Sequence, residues 1–432
     1  MKKQGNPWSS DDEKEHFPSV LEWWCTEGFL HDVTHKKQWS YKGSFTEWCT
    51  TNNELGSTYD FTLFDYKTNE YVSRHLRSDM EKLDVSYDDS DNIITRFNDS
   101  YLTGSYPDYK MKYDNSEKDI FLKLQYQAQS LPHWITQDIT GGYLPMGFGF
   151  YRYGFIPRNT VNGILHLQGE DVKVKGTGYY EHVWGDFSYK NPLADFSFVK
   201  KSLSIYQKLT AWWIYHHTLK IPDSLKFSSE NNPLGYDWMW AVLDNGWSVF
   251  LGNILFWVAE GPIFGTCILT KDGKHYQEFC NVHYKYKQVE HSKKFDFVYP
   301  TKIEIIAKKD DEKLRLTAEM IMPCREFVTP LHQKKWLAFV ICEAPGKVTG
   351  TYSKKDETVT LSGDCKIEPQ RQVSVYGHNL LSIDFIKPPK GVGISVDFES
   401  HYLKKKLSST FCFNPLPKIQ CSMKKIHPPK KQ

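Results

Sequence analysis

The sequence lacks several features that would place it in a common class of protein. It has no apolar run of 18 residues, so no membrane-spanning helix is predicted. Its 54 Lys and Arg residues nearly balance its 52 Asp and Glu residues, so no charge excess indicates a nucleic-acid partner. No apolar core follows Met1, so no secretory signal is predicted. Nine cysteines without a Cys-x-x-Cys pair indicate reduced thiols of a cytoplasmic protein rather than a disulfide frame or a zinc site.

Motifs for the common cofactors are also missing. The sequence has no glycine-rich phosphate loop, no dinucleotide fingerprint and no Gly-x-Ser-x-Gly elbow. The adjacent residues His216 and His217 would not share a helix face, and no Asp or Glu lies in the ten residues before them. We therefore predict neither a cofactor nor a metal site.

Aromatic residues and glycine, in contrast, are abundant. Phe, Trp and Tyr make up 15% of the chain, which contains 14 Trp and 27 Gly. Segments of alternating polarity recur between short turns, and the clearest are Thr301–Ile306, Leu314–Ala318, Glu357–Leu361 and Ile394–Phe398. This pattern predicts an all-β protein of barrels or sandwiches, and 432 residues suit two domains.

The segment Gly176–Asp186, which reads GTGYYEHVWGD, concentrates groups that are capable of chemistry. An alternating segment precedes it, so we expect it to continue a strand. On a strand, Tyr179 and Glu181 point to one face of the sheet. His182 and Trp184 point to the other face. A carboxyl among phenols and indoles suits either a proton donor in an apolar pocket or a polar group tied into the core.

A weak internal repeat indicates two barrels of related design. Glu181 lies eighteen residues after Gly163, and Glu368 lies eighteen residues after Gly350. Each half also opens on a strand with two tryptophans, which are Trp23, Trp24, Trp238 and Trp240. We predict a first barrel over residues 1–190 and a helical linker over residues 191–235. A second barrel then covers residues 236–403, and a basic tail covers residues 404–432.

Apolar residues recur at helical spacing within 196–219. The helix is predicted to pack across the junction of the barrels. The alternative is a peripheral membrane contact, in which Trp212, Trp213 and Tyr215 meet the lipid interface. The basic, proline-containing end of this tail, Met423–Gln432, is expected to fray, with weak contact to an acidic membrane surface as its alternative.

Four segments carry a resemblance to a known family, and they are Leu21–Leu30, Leu102–Tyr109, Gly163–Gly185 and Tyr236–Gly246. In this order they resemble the carotenoid 1,2-hydratase (hydroxyneurosporene synthase) family of lipocalin-like proteins. The resemblance covers about residues 16–400. It extends to natural-product Diels–Alderases of the same fold. It implies two consecutive lipocalin-like β-barrels joined by a partly helical linker, with a substrate pocket at or near their junction.

The same resemblance implies an enzyme of the hydratase/lyase or isomerase/cyclase type that acts on a hydrophobic isoprenoid or polyene. Glu181 takes the position of the family's essential acid, and Tyr179 and His182 match its neighbours. The residues implied to line the substrate pocket are Trp184, Trp23, Trp24, Trp238 and Trp240. Acid-assisted hydration, isomerisation or cyclisation would need no cofactor.

Two departures from the family pattern bear on activity. Glu181 replaces the usual Asp, which moves the carboxyl by one methylene and disturbs a precise proton transfer. Cys25 stands where the family usually has Tyr, so one phenol donor is missing.

Other functional hypotheses stay open at this point. In a lipid or pigment carrier, Glu181 would be a hydrogen-bond anchor for the ligand. In a structural or assembly protein, the Trp-rich linker would be an interface. Glu181 and His182 would then satisfy each other or backbone groups at a barrel end. Three further acids, Glu22, Asp237 and Glu368, are interpreted mainly as structural. Asp186 is interpreted equally as a turn residue or as a functional acid. The sequence makes no prediction of the oligomeric state.

Overall fold

The computed structural model describes most of the chain, and its described residues are 8–34, 36–49, 54–146, 149–187, 198–216, 224–227, 235–254, 264–279, 281–295, 297–328, 337–374, 379–387, 389–400, 404–414 and 416–425. Strands dominate these residues, and two of the sheets curl into half-barrels. The all-β prediction is therefore confirmed.

The first half-barrel is a thirteen-stranded antiparallel sheet. Its strands are β1 (Leu21–Asp32), β2 (Gln38–Cys49), β3 (Leu55–Asp65), β4 (Glu70–Ser78), β5 (Asp84–Tyr87), β6 (Ile93–Phe97), β7 (Ser100–Ser105), β8 (Asp108–Asn115), β9 (Ile120–Ala128), β10 (His133–Trp134), β11 (Tyr143–Met146), β12 (Gly149–Leu167) and β13 (Glu170–Asp186). The order along the sheet is β4-β3-β2-β1-β13-β12-β9-β8-β7-β6-β5, and β10 and β11 pair with β12. A short helix, α1 (Gln137–Thr140), lies between β10 and β11.

Alternating side chains build the core inside this half-barrel. On β9, Ile120, Leu122, Leu124 and Tyr126 are buried while the residues between them are more exposed, as period-two geometry requires. The core continues with aromatic residues such as Trp24, Phe45, Tyr59 and Tyr113. The Tyr126 ring crosses Gly178, where a Cβ atom would lie 2.3 Å from the ring, so this glycine of the motif is needed for close packing.

The second half-barrel is a ten-stranded antiparallel sheet. Helix α2 (Val199–His216) and strand β14 (Ser224–Phe227) precede it. Its strands are β15 (Gly235–Leu243), β16 (Ser248–Ile254), β17 (Phe264–Thr270), β18 (Tyr276–Phe279), β19 (Asn281–Ser292), β20 (Phe297–Lys309), β21 (Glu312–Met320), β22 (Arg325–Val328), β23 (Leu337–Lys354) and β24 (Glu357–Ser374). The order is β18-β17-β16-β15-β24-β23-β21-β20-β19, and β22 pairs with β23.

The two half-barrels share a strand plan. In each, the opening strand pairs on one side with the next strand in sequence and on the other with the last long strand of the half. The long final hairpins, β12 with β13 and β23 with β24, therefore occupy equivalent places. Glu181 and Glu368 lie on equivalent strands, as the internal repeat predicted.

Helix α2 packs against β11 and β12 of the first half-barrel. Ile205 and Leu209 are buried in the apolar core between the half-barrels, which agrees with the predicted packing at the junction. Residues 217–219 of the predicted helix and the side chain of Trp213 lie outside the described part. Among the described helices, none combines the length and apolar character needed to cross a membrane.

The basic tail contributes β27 (Lys405–Phe413) and β28 (Pro417–Lys425), which join β14, β25 (Asn379–Ile386) and β26 (Val392–Ser400) in a separate five-stranded sheet. The prediction that the chain frays from Met423 is therefore wrong for residues 423–425, and residues 426–432 lie outside the described part. Residues 379–400, which we assigned to the second barrel, thus belong to this third sheet. One face of it carries exposed apolar side chains, including Ile394, Leu407, Phe411, Phe413, Ile419 and Met423.

Candidate functional site

The outer faces of the two half-barrels pack against each other, and the register of the strands decides which side chains lie there. Cys25 on β1 is opposite Glu181 on β13, and Glu181 is opposite Phe155 on β12. Residues two positions away share the same face. Glu181 therefore projects from the first half-barrel towards the second.

Glu181 is buried and accepts three hydrogen bonds. The indole Nε1 of Trp23 donates to Oε1 at 2.8 Å. The Tyr179 hydroxyl donates to Oε2 at 3.0 Å, and the Tyr153 hydroxyl donates to the same oxygen. The carboxyl is 8% exposed. Three donors on one buried carboxyl fix its position and orientation.

A hydrogen-bond chain joins Glu181 to the second half-barrel. Trp238 of β15 donates from Nε1 to the Tyr153 hydroxyl at 3.0 Å. That hydroxyl also lies 2.9 Å from the hydroxyl of Tyr179. Each phenol has a single O–H proton, and since both protons point to Glu181, the two hydroxyl oxygens are neighbours with no proton between them.

The net electrostatic setting of Glu181 shifts its carboxyl towards the protonated form. Burial raises the pKa of its carboxyl above the ordinary value of 4.5. The hydrogen bonds from Tyr153 and Trp23 and the charge of Lys42 lower the pKa, but they do not outweigh burial. Burial also raises the pKa values of Tyr153 and Tyr179, so both phenols are neutral donors.

An aromatic core fills the junction on one side of Glu181. Phe155 stacks on Phe250 of the second half-barrel, with ring centroids 4.4 Å apart. Trp240 stacks on Phe29 at 5.1 Å and lies 5.4 Å from Tyr179. Both half-barrels contribute to this core, so its apolar and polarisable surface adjoins the carboxyl.

A buried charged cluster fills the junction on the other side. The Nζ of Lys42 on β2 lies 2.8 Å from Glu343 and 3.7 Å from Glu27, and it also binds Glu368. Burial lowers the pKa of Lys42, but the carboxylates of Glu343, Glu368 and Glu27 outweigh it and hold the pKa well above its usual value. Glu181 thus lies at the boundary between an aromatic and a charged half of one interface.

A second charged contact, between Arg325 and Asp60, also crosses the junction. The Arg325 guanidinium of the second half-barrel donates to both carboxylate oxygens of Asp60 and to Glu343 at 3.1 Å. Burial alone would raise the pKa of Asp60, yet Arg325 and His75 hold it well below its usual value. These contacts align the half-barrels and keep the surroundings of Glu181 in place.

The structure brings together only part of the predicted site. Glu181, Tyr179, Trp23 and Trp238 form one hydrogen-bonded group. Trp240 packs beside it and donates to the carbonyl of Pro157 at 2.8 Å.

His182, Trp184 and Trp24 lie on the opposite face, so the prediction that they act with Glu181 is wrong. The reason is the alternation of the strand, which turns neighbouring residues away from each other. The structural alternative does not hold for a direct contact of Glu181 with His182, whereas His182 does lie 2.8 Å from a backbone group, the carbonyl oxygen of Asp12.

The opposite face carries a second polar cluster. His182 Nε2 lies 2.8 Å from Glu22 Oε1, and His182 Nδ1 lies 2.8 Å from the carbonyl oxygen of Asp12. His16 Nδ1 lies 3.1 Å from the same Glu22 oxygen. Trp184 stacks on His16 with centroids 3.7 Å apart, and Trp24 stacks on His182 at 4.7 Å. Trp24 and Trp184 therefore hold the imidazoles of this cluster.

Sequence reasoning missed Tyr153 and Lys42. Tyr153 is 28 residues before Glu181, and only the pairing of β12 with β13 places it there. The alternating aromatics Tyr151, Tyr153 and Phe155 were a usable signal, because such a pattern marks one face of a strand. A lone lysine on β2 gave no comparable signal.

Comparisons with known proteins show the fold. No family model matches the chain, and no curated protein matches it. Among solved structures, it resembles a protein from Nitrosomonas europaea provisionally identified as AttH, with 16% identity, a TM-score of 0.56, and coverage of 87% of this chain and 99% of that one. It also resembles kievitone hydratase from Nectria haematococca, with 11% identity, a TM-score of 0.52, and coverage of 85% and 95%. The predicted lipocalin-like fold is thereby confirmed.

Proposed function

We propose that this protein is an enzyme that acts on a hydrophobic isoprenoid or polyene by acid-assisted hydration, isomerisation or cyclisation, with Glu181 as the proton donor. One observation carries the proposal. A buried carboxyl with a raised pKa is oriented by three donors where the aromatic faces of two half-barrels meet.

The chemistry follows from that setting. Proton transfer from Glu181 to an alkene carbon leaves a carbocation on the substrate and a carboxylate on the enzyme. The faces of aromatic side chains such as Trp23 and Trp238 stabilise a cation by about 0.5–2 kcal/mol each. In hydration, water attacks the cation and its proton returns to the carboxylate. In isomerisation or cyclisation, a neighbouring carbon loses the proton instead, so Glu181 is regenerated in each case.

The two phenols have a supporting role. Tyr179 and Tyr153 donate to the carboxylate that forms after proton transfer, so its negative charge is stabilised where it develops. Both are positioning residues, since they act through the Glu181 carboxyl.

The likeness to kievitone hydratase supports a small-molecule reaction, because that protein is by name a hydratase with a similar fold. The carotenoid-hydratase resemblance of the Gly163–Gly185 segment supports a polyene or isoprenoid substrate. Glu181 also takes the position of the family's essential acid, which supports its assignment as the proton donor.

A lipid or pigment carrier is the second candidate, and one observation favours it. Both oxygens of Glu181 are held in place by hydrogen bonds from the protein, as expected of a fixed anchor for a ligand hydroxyl. In this function a hydrophobic ligand binds at the junction and leaves unchanged.

The test begins with native mass spectrometry and organic extraction of the protein isolated from its own host. The extracted compound is then incubated with the wild type and with Glu181→Gln, and the products are identified by mass spectrometry. The enzyme proposal predicts conversion by the wild type and loss of at least about 100-fold in the variant. Glu304→Gln is the matched control, since this carboxyl pairs with Lys287 and Arg315 away from the junction. Return of the compound unchanged from the wild type contradicts the enzyme and supports the carrier.

A further inference from the structure

A cluster with no part in the proposed reaction lies at the end of the first half-barrel, on the face opposite Glu181. It consists of His16, Glu22 and His182. One nitrogen of each imidazole and one carboxylate oxygen lie within 4.8 Å of one another. Glu22 and His182 are almost fully buried, whereas the His16 side chain is 25% exposed. The cluster therefore combines a desolvated interior with access from solvent.

The two hydrogen-bond contacts of the His182 ring indicate that a cation lies between His182 and Glu22. A backbone carbonyl only accepts hydrogen bonds, so the contact with Asp12 places a proton on Nδ1. In a neutral imidazole, Nε2 is then a lone pair, and it faces Glu22 Oε1 at 2.8 Å. Two lone pairs at this distance repel each other. A cation between them, either a metal ion or a second proton, removes the repulsion.

The other two side chains are also oriented from outside the cluster. The backbone N–H of His16 donates to Glu22 Oε2 at 2.8 Å and to Oε1 at 3.1 Å, and Oε1 also faces both imidazoles. The stacked Trp184 holds the His16 ring, with the two planes 7° apart. Such outer contacts are the arrangement by which proteins fix metal-binding histidines and carboxylates.

We propose that His16 Nδ1, Glu22 Oε1 and His182 Nε2 bind one divalent transition-metal ion, with Zn²⁺ as the preferred metal. Two imidazoles and one carboxylate form a known three-residue zinc set that keeps a fourth position for water. Tetrahedral zinc ligands are separated by roughly 3.3 Å. The pairs of 2.8 Å and 3.1 Å around Glu22 approach this value, so small side-chain shifts suffice.

A metal here has a structural consequence. His16 belongs to the segment before β1, whereas Glu22 and His182 lie on β1 and β13. This segment is already attached through Asp12, which pairs with Arg152 at 2.6 Å, and through Trp8, which stacks on Trp134. The ion would join the segment to the end of the half-barrel. Binding to the folded state alone then raises the thermal stability of the protein.

The test uses the full chain after removal of metals with a chelator. It is dialysed against Zn²⁺ or Co²⁺ and passed through a desalting column, and metal content is measured by inductively coupled plasma mass spectrometry. The proposal predicts one equivalent of Zn²⁺, visible ligand-field bands with Co²⁺, and a melting temperature raised by Zn²⁺. A protein that retains no stoichiometric metal overturns the proposal and assigns the shared charge to a proton.

Two variants test whether the metal binds to the His16, Glu22 and His182 cluster. His16→Ala removes the more exposed ligand and is expected to fold, as circular dichroism verifies. It should weaken Zn²⁺ binding by more than the roughly 10- to 100-fold loss caused by removing an outer contact. The matched control is Cys324→Ser, since Cys324, Glu326 and Cys342 form a second group with metal-ligand spacing. Unchanged binding in His16→Ala, or loss of binding in Cys324→Ser, contradicts the assignment.

Discussion

Replacing Lys42 by Met tests whether buried charges hold the two half-barrels together. The Lys42 ammonium lies 2.8 Å from Glu343 and also binds Glu368, and all three groups are buried. The substitution removes the cation and leaves both carboxyls in a desolvated interface. Removing one partner of a buried ion pair lowers the free energy of unfolding by about 3–5 kcal/mol. Because Met has a similar length, a cavity adds little, so we expect a loss in this range.

The assay is urea-induced unfolding at neutral pH followed by tryptophan fluorescence. Lys123→Met on β9 is the control, because this lysine is exposed on a strand of the same sheet and its loss should change stability by less than about 0.5 kcal/mol. Adding Glu368→Gln to Lys42→Met should recover part of the loss, since one buried charge is then removed with its partner. A Lys42→Met protein as stable as the control would refute the reasoning.

Two further substitutions probe the same interface. Tyr153→Phe removes a donor to Glu181 and leaves Trp238 Nε1 without its acceptor. We expect a loss of about 1–3 kcal/mol in urea unfolding. Since this donor lowers the pKa of Glu181, the basic limb of the kcat/KM profile should move to higher pH. Burial raises the pKa of Glu27 from 4.5 to about 8, so its stabilising protonated form is lost as pH rises through that value. Glu27→Gln should therefore gain stability relative to the wild type as pH rises from about 4.5 to 8, measured by urea midpoints; parallel pH curves would contradict this.

The sequence predicted the centre of the candidate site better than its surroundings. Period-two alternation was enough to place Tyr179 and Glu181 on one face, and the paired Trp23 joined them. The same alternation separates His182 from Glu181, yet sequence proximity and the family motif grouped them together. Tyr153 and Lys42 reach the site through pairing across strands, and that register follows from tertiary packing rather than local pattern.

The C-terminal region shows a second limit. Residues 404–425 contain six lysines and no acid, a composition that favours a solvated tail. They form strands because the backbone of β26 pairs with β27, which in turn pairs with β28. Alternation of Leu407, Phe411 and Phe413 on one face was present in the sequence, but the charge at both ends obscured it.

The most direct test of Glu181 as a proton donor is the isotope content of the product formed in D₂O. The compound extracted from the protein is converted by the wild type in D₂O, and exchangeable deuterium is washed out before mass spectrometry. Protonation of carbon by Glu181 predicts one carbon-bound deuterium in the product of each hydration, and no product with Glu181→Gln. A hydration product free of deuterium, or equal turnover by the variant, would contradict the account.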